Sequence, residues 1–169
     1  MPTSLRSRVP LVVLSVGLVA AAALPGTAAP TDGRPEVATV TSERTPEPPT
    51  KGERVAYFAV EAVGVPYRWG GESPATGFDC SGLVRWAYGR LGIDLPHSSY
   101  ALYGEGRRVA DSSMEPGDIL FFEGLGHVGL YLGRGRMVHA PQTGRNVEVV
   151  RLASTSYGSR LIGARRVVA

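Results

Sequence analysis

The 169-residue chain contains one cysteine, Cys80, so no internal disulfide can staple it. It contains three histidines, His97, His127 and His139, so few side chains can exchange protons near neutral pH. Neither sign of charge is much in excess: Lys and Arg number 18 and Asp and Glu 15, and without Arg6 and Arg8 the basic count falls to 16. No basic cluster interleaved with aromatics appears, which argues against a nucleic-acid partner. Arg160, Arg165 and Arg166 are read as a solvated strand face rather than a contact for an anionic polymer. One apolar stretch stands out, residues 9–24, interrupted by Pro10, Ser15 and Gly17. It falls short of the roughly 18–20 residues a membrane-spanning helix needs. There is no internal repeat and no sign of a second domain.

The first 50 residues lack the makings of a core. Arg6 and Arg8 precede the apolar stretch, and Gly26-Thr27-Ala28-Ala29 follows it, the arrangement of a secretory signal over residues 1–29. Residues 30–50 form a Pro/Thr-rich linker in which Pro30, Pro35, Pro46, Pro48 and Pro49 sit among polar residues, a composition that stays extended and solvated. Residues 51–169 turn apolar and patterned, enough for one domain.

Within that domain the hydrophobic period changes part-way. Val55, Phe58, Ala59 and Ala62 recur at helical spacing over residues 51–63. Residues 67–77 form a glycine-rich loop. Asp79 then caps a second helix over residues 80–91, with Leu83, Val84, Trp86, Ala87 and Leu91 on its buried side. A short helix is expected over residues 98–103. Strand-like segments follow at 118–122, 127–132, 136–139, 147–152 and 161–168, separated by glycine-containing turns. Helices first and strands later predict an α+β fold, with the N-terminal helices packed on a central antiparallel β-sheet.

Cys80 opens the second helix, between Asp79 and Ser81. In an exported chain an exposed unpaired thiol is a liability unless it has a function. In a first helical turn the thiol meets unpaired N–H groups and the positive end of the helix dipole. Both favour the thiolate, the reactive form, so a lowered Cys80 pKa is expected, helped by a charged His127. Val128, Leu130 and Leu132 share one face of their strand, so His127 points to the other face, beside Gly129. The small residue there leaves room for a ligand or a helix end. The turn Gly133-Arg134-Gly135 makes the strands of His127 and His139 hairpin partners, close enough for the two rings to hydrogen-bond. These residues suit amide hydrolysis: Cys80 as nucleophile, His127 as base and then acid, and the Cys80 N–H with Tyr67 for the oxyanion. Trp69 is expected to be a packing residue. Cys80, His127 and His139 are also a set that zinc accepts, although the short-range ligand pairs common in zinc sites are absent; neither a metal nor any other cofactor is called for.

Pro66-Tyr67-Arg68-Trp69-Gly70-Gly71, Gly77-Phe78-Asp79-Cys80-Ser81-Gly82-Leu83-Val84, Pro116-Gly117-Asp118-Ile119-Leu120-Phe121-Phe122 and His127-Val128-Gly129-Leu130-Tyr131-Leu132-Gly133, in that order, resemble the NlpC/P60 family of bacterial cell-wall cysteine peptidases. Leu95-Pro96-His97-Ser98-Ser99 is most similar to exported actinobacterial members. The resemblance covers nearly all of residues 52–168. It implies a papain-like fold and hydrolysis of peptidoglycan stem peptides, typically between γ-linked D-glutamate and meso-diaminopimelate. It implies Cys80 as nucleophile, His127 as base, His139 as the residue orienting His127, and Tyr67 beside the nucleophile. Asp79 and Ser81 match positions lining the substrate groove, and His97 and Ser99 are read as substrate-binding at its edge. Some relatives carry an acidic residue in place of His139, and many carry glutamine in place of Leu102. The partner implied is the stem peptide, for a secreted, cell-wall monomer with no stable membrane insertion. The competing readings are an amidase or a peptidase for another stem-peptide bond, an inactive wall-binding module, and the metal site.

Overall fold

The computed structural model describes residues 47–168. The signal reading of 1–29 and most of the linker reading of 30–50 therefore lie outside the described residues. Helix α1 spans Lys51–Glu61 and opens on a reciprocal cap: the Thr50 hydroxyl accepts from the Glu53 N–H, and the Glu53 carboxylate accepts from the Thr50 N–H at 2.8 Å. A two-residue ladder follows, β1 (Glu72–Ser73) with β2 (Gly77–Phe78). Helix α2, Cys80–Gly89, is capped by Asp79, whose carboxylate accepts from the Gly82 N–H. Helix α3, Ser99–Leu102, is a single turn.

The strands are β3 (Arg107–Val109), β4 (Ile119–Phe122), β5 (Val128–Gly133), β6 (Arg136–His139), β7 (Glu148–Arg151) and β8 (Leu161–Arg166). They form an antiparallel sheet in the order β3-β8-β4-β5-β6-β7. The short helix α4, Ser156–Arg160, lies in the β7–β8 connection. The fold is the α+β arrangement expected, and β5 and β6 pair as a hairpin. Among the described residues no helix is long and apolar enough to cross a membrane.

The sheet is apolar on both faces. One face gives Ile119, Phe121, Val128, Leu130 and Val138 to a core shared with Val55 and Ala59 of α1 and Leu83, Val84 and Ala87 of α2. The other gives Leu120, Phe122, Tyr131, Met137 and Ala164 to a smaller cluster closed by Leu152 and Tyr157. Two-sided burial is why β4 reads as an unbroken apolar run, Ile-Leu-Phe-Phe, with no alternation. The Tyr88 hydroxyl of α2 donates to the Gly117 carbonyl at 2.8 Å, tying the Cys80 helix to the turn before β4.

Arg166 is not on a solvated face. It makes two 2.7 Å bonds to Asp118, a third contact of 2.8 Å to Glu115 and another of 2.8 Å to the Ser113 carbonyl. Asp118 is 1% exposed, and an anion so buried requires a cation beside it. Arg165 lies over the Tyr103 ring and Arg160 over the Tyr157 ring, so the three arginines are divided among separate local contacts.

Candidate active site

Asp79 organises one wall of the site. Its carboxylate accepts from the N–H groups of Gly82 (2.7 Å) and Gly70 (2.9 Å), from the Ser81 hydroxyl (3.1 Å) and from His97 Nε2 (2.9 and 3.0 Å to its two oxygens). The cap thus joins α2 to the glycine-rich loop and leaves the N–H groups of Cys80 and Ser81 directed at the thiol. Cys80 is partly buried at the base of a cleft of about 400 Å³ lined by Tyr67, Asp79, Ser81, His97, Ser99 and His127, among others.

The second wall is the β5–β6 hairpin. His127 immediately precedes β5 and His139 ends β6. His127 Nε2 lies 2.9 Å from His139 Nδ1, a hydrogen bond, with the rings edge to face. The space beside Gly129 is taken by β6, not by a ligand or a helix end. A Cβ at Gly129 would stand 3.0 Å from the Met137 sulfur and 3.3 Å from the His139 Cβ. Glycine lets the two strands approach closely enough for the histidines to meet.

Tyr157 of α4 covers the pair. Its ring stacks on His127 (centroids 5.2 Å apart, planes at 25°) and meets His139 edge-on at 4.8 Å. Burial is the largest influence on the protonation of all three central residues. It lowers His127 well below the ordinary histidine value, with His139 and Arg160 adding to the effect. It lowers His139 likewise, with Arg145 adding. It raises the Cys80 thiol, with Asp79 adding; the backbone N–H groups of Val128, Ser81 and Cys80 oppose the rise without reversing it. Both directions run against the expected thiolate with a charged His127, because burial disfavours the charged form of each group. The helix end acts in the anticipated direction, but desolvation outweighs it.

Tyr67 is half-buried, and burial raises its pKa, with the Asp79 carboxylate and Cys80 when ionised adding, so its hydroxyl remains a donor. The Ser99 hydroxyl donates to the Leu125 carbonyl, so that proton is not free for a ligand. His97 is held between Asp79 and Glu72, its Nδ1 3.5 Å from Glu72. Trp69, expected to pack, is 87% exposed at the cleft rim, where the bond from Gly70 to Asp79 fixes the loop and leaves the indole outside. The two imidazoles bond each other, which does not suit a shared metal; among the described residues no group of three His, Cys, Asp or Glu side chains is arranged to hold one.

Compared with known families, residues 64–166 match the NlpC/P60 family. The chain belongs to the NlpC/P60 family. It is 50% identical over 107 residues to a probable endopeptidase of Mycobacterium bovis, covering 62% of this chain and 28% of that protein. It is 38% identical over 117 residues to the murein DD-endopeptidase MepH of Escherichia coli, covering 64% and 43%. It is 35% identical over 130 residues to the bifunctional muramidase/DL-endopeptidase CwlT of Bacillus subtilis, covering 70% and 39%. The chain thus spans less than half the length of these curated relatives. Among solved structures, the NlpC/p60 domain of the peptidoglycan hydrolase SagA superposes with a TM-score of 0.61 at 33% identity, covering 68% of this chain and 97% of that one. An NlpC/P60 family protein of Bacillus cereus superposes with a TM-score of 0.66 at 34% identity, covering 72% and 42%.

In this NlpC/P60 domain, sequence reasoning missed Tyr157 and Glu148. Tyr157 sits in Ser156-Tyr157-Gly158-Ser159-Arg160, which shows no apolar period and lies 18 positions beyond His139. Glu148 is the direct cross-strand neighbour of His139, a pairing that the hairpin register would have disclosed.

Proposed function

We propose that this chain is a secreted cysteine peptidase that hydrolyses peptidoglycan stem peptides. The observation that carries the reading is the His127–His139 hydrogen bond, 2.9 Å, in the cleft wall that faces Cys80 at its helix start. His127 Nε2 is engaged by His139, so Nδ1 is the nitrogen left to take the thiol proton. That proton moves to His127 as the Cys80 sulfur attacks the amide carbon. The oxyanion receives donors from the Cys80 N–H and the Tyr67 hydroxyl. His127 then returns the proton to the leaving amine as the C–N bond breaks. Water, deprotonated by His127, cleaves the thioester and restores the thiol.

The names of the relatives direct this chemistry to the cell wall and include both DD- and DL-endopeptidases. The γ-D-glutamyl–meso-diaminopimelate bond is our choice among stem-peptide bonds. Residues 1–29 act as an export signal and 30–50 as a linker to a catalytic domain at 51–169, which works as a monomer. Purified protein incubated with isolated cell wall should release stem-peptide fragments whose masses name the bond, and Cys80→Ala should release none. Full digestion by Cys80→Ala would overturn the assignment of the nucleophile. Inhibition by a chelator but not by iodoacetamide would favour a metal site instead.

A further inference from the structure

His139 Nε2 is fully buried and, among the described residues, has no hydrogen-bond partner. The polar group facing it is Glu148, its cross-strand partner at the start of β7, with Oε1 at 3.6 Å. That separation exceeds a hydrogen bond but is short for a carboxylate aimed at a buried ring nitrogen. Glu148 is itself held: Arg145 grips both carboxylate oxygens at 2.9 and 2.7 Å. The Arg145 carbonyl also accepts from the Tyr67 N–H at 2.8 Å, so one loop residue links the Tyr67 wall to the histidine wall.

Proton placement gives the arrangement a purpose. If His127 Nδ1 is the base for Cys80, it must present a lone pair to the thiol. A neutral His127 then carries its hydrogen on Nε2 and donates it to His139 Nδ1. His139 must in turn carry its hydrogen on Nε2, the atom that faces Glu148. The opposite tautomer of His139 would donate from Nδ1, force His127 to place its hydrogen on Nδ1, and turn an N–H toward Cys80. Neutral thiol and neutral base would then have no productive direction of proton transfer. A bare carboxylate beside His139 would also draw a proton onto the ring and make His139 a cation, unable to accept from His127. The Arg145 cation opposes that, and its charge lowers the His139 pKa.

We infer, on the reading of His127 as base for Cys80, that the Arg145–Glu148 pair is a positioning device that selects the Nε2–H tautomer of His139 while keeping that ring neutral. Glu148 supplies the orientation, and Arg145 prevents the orientation from becoming protonation. The pair touches no reacting atom and acts through two rings.

The test uses the purified full chain with 15N-labelled histidine, in wild type, Glu148→Gln and Arg145→Met, by two measurements. The first is the ring-nitrogen chemical shifts of His139, which report the tautomer without any substrate. The second is the pH profile of kcat for cell-wall digestion. Wild type should show His139 protonated on Nε2 alone. Glu148→Gln should mix the tautomers, reduce kcat by about tenfold or more with KM little changed, and move the acidic limb to lower pH. Arg145→Met should keep the tautomer and move the acidic limb to higher pH, because a cation near His139 is gone. Opposite shifts from the two halves of one ion pair are not what loss of a merely structural contact produces. Unaltered ring shifts in Glu148→Gln, or limbs moving in the same direction, would overturn the inference. If wild type digests no wall, yet holds the single tautomer that Glu148→Gln mixes, the tautomer selection stands and the functional reading fails.

Discussion

Two of the buried polar clusters in this domain, one at Asp118 and one at the His127–His139 pair, are built in opposite ways. Around Asp118 each charge meets its complement: Arg166 reaches Asp118 twice, Glu115 once and a backbone carbonyl once. Around the His127–His139 pair burial disfavours charge, and among the described residues one atom, His139 Nε2, lacks a partner. The first cluster joins the start of β4 to the end of β8, 48 residues apart, and has no proton to move. The second holds a thiol and two imidazoles under an aromatic cover, with burial disfavouring the charged form of each. Saturating a buried polar cluster makes it a clamp, whereas withholding charge and one hydrogen bond leaves it able to respond.

The largest effects should separate the two clusters. Cys80→Ala is expected to abolish wall digestion and leave the thermal unfolding midpoint unchanged. Asp118→Ala should do the converse, removing about 2–3 kcal/mol of stability by deleting both bonds to Arg166, which keeps only Glu115 and the Ser113 carbonyl. Its activity per folded molecule should persist. Calorimetry and digestion assays on both variants check this, and a stability loss in Cys80→Ala equal to that of Asp118→Ala would erase the distinction.

Acid should next weaken the histidine cluster. Both histidines are lowered from the ordinary value of about 6.5, so the unfolded chain takes up protons there that the folded chain refuses. Their contribution to stability is complete above about pH 6.5 and declines as pH falls, by at most about 1.4 kcal/mol per histidine per pH unit. Denaturant titrations between pH 7 and 5 should show the decline in wild type and a shallower one in a double His127→Gln, His139→Gln variant.

A smaller effect is expected at the cover. Tyr157→Ala admits water to both rings, which should raise the His127 pKa toward its ordinary value. The acidic limb of the digestion profile should then move to higher pH. A limb at its wild-type position would mean that Tyr157 does not supply the desolvation.

The placement of Cys80 was legible because its causes are local: an Asp79 cap, a Gly82 one turn in, and an apolar stripe on α2. The β5–β6 hairpin was legible from the Gly133-Arg134-Gly135 sequence at its turn. Protonation was not, because the helix end is a local feature whereas burial is tertiary, with Tyr157 of the β7–β8 connection stacked on His127. The Arg166–Asp118 pair was hidden for a similar reason: nothing in Arg160, Arg165 and Arg166 as residue types distinguishes the one that turns inward. Trp69 misled in the other direction. Its bulk suggests a packing residue, but hydrogen bonds within the loop hold the backbone so that the ring faces out.

The junction between α2 and the glycine-rich loop has one more consequence. Gly82 lies so close to Gly71 that a methyl group on it would collide with the Gly71 carbonyl, and it would also crowd His97 Nε2 at 3.0 Å. The nucleophile's helix is thus seated on bare main chain, with no side chain between to act as a spacer. The smallest graft that could carry this thiol to another scaffold is therefore not the Asp-Cys-Ser-Gly tetrapeptide but that turn together with the loop beneath it, moved as one rigid piece.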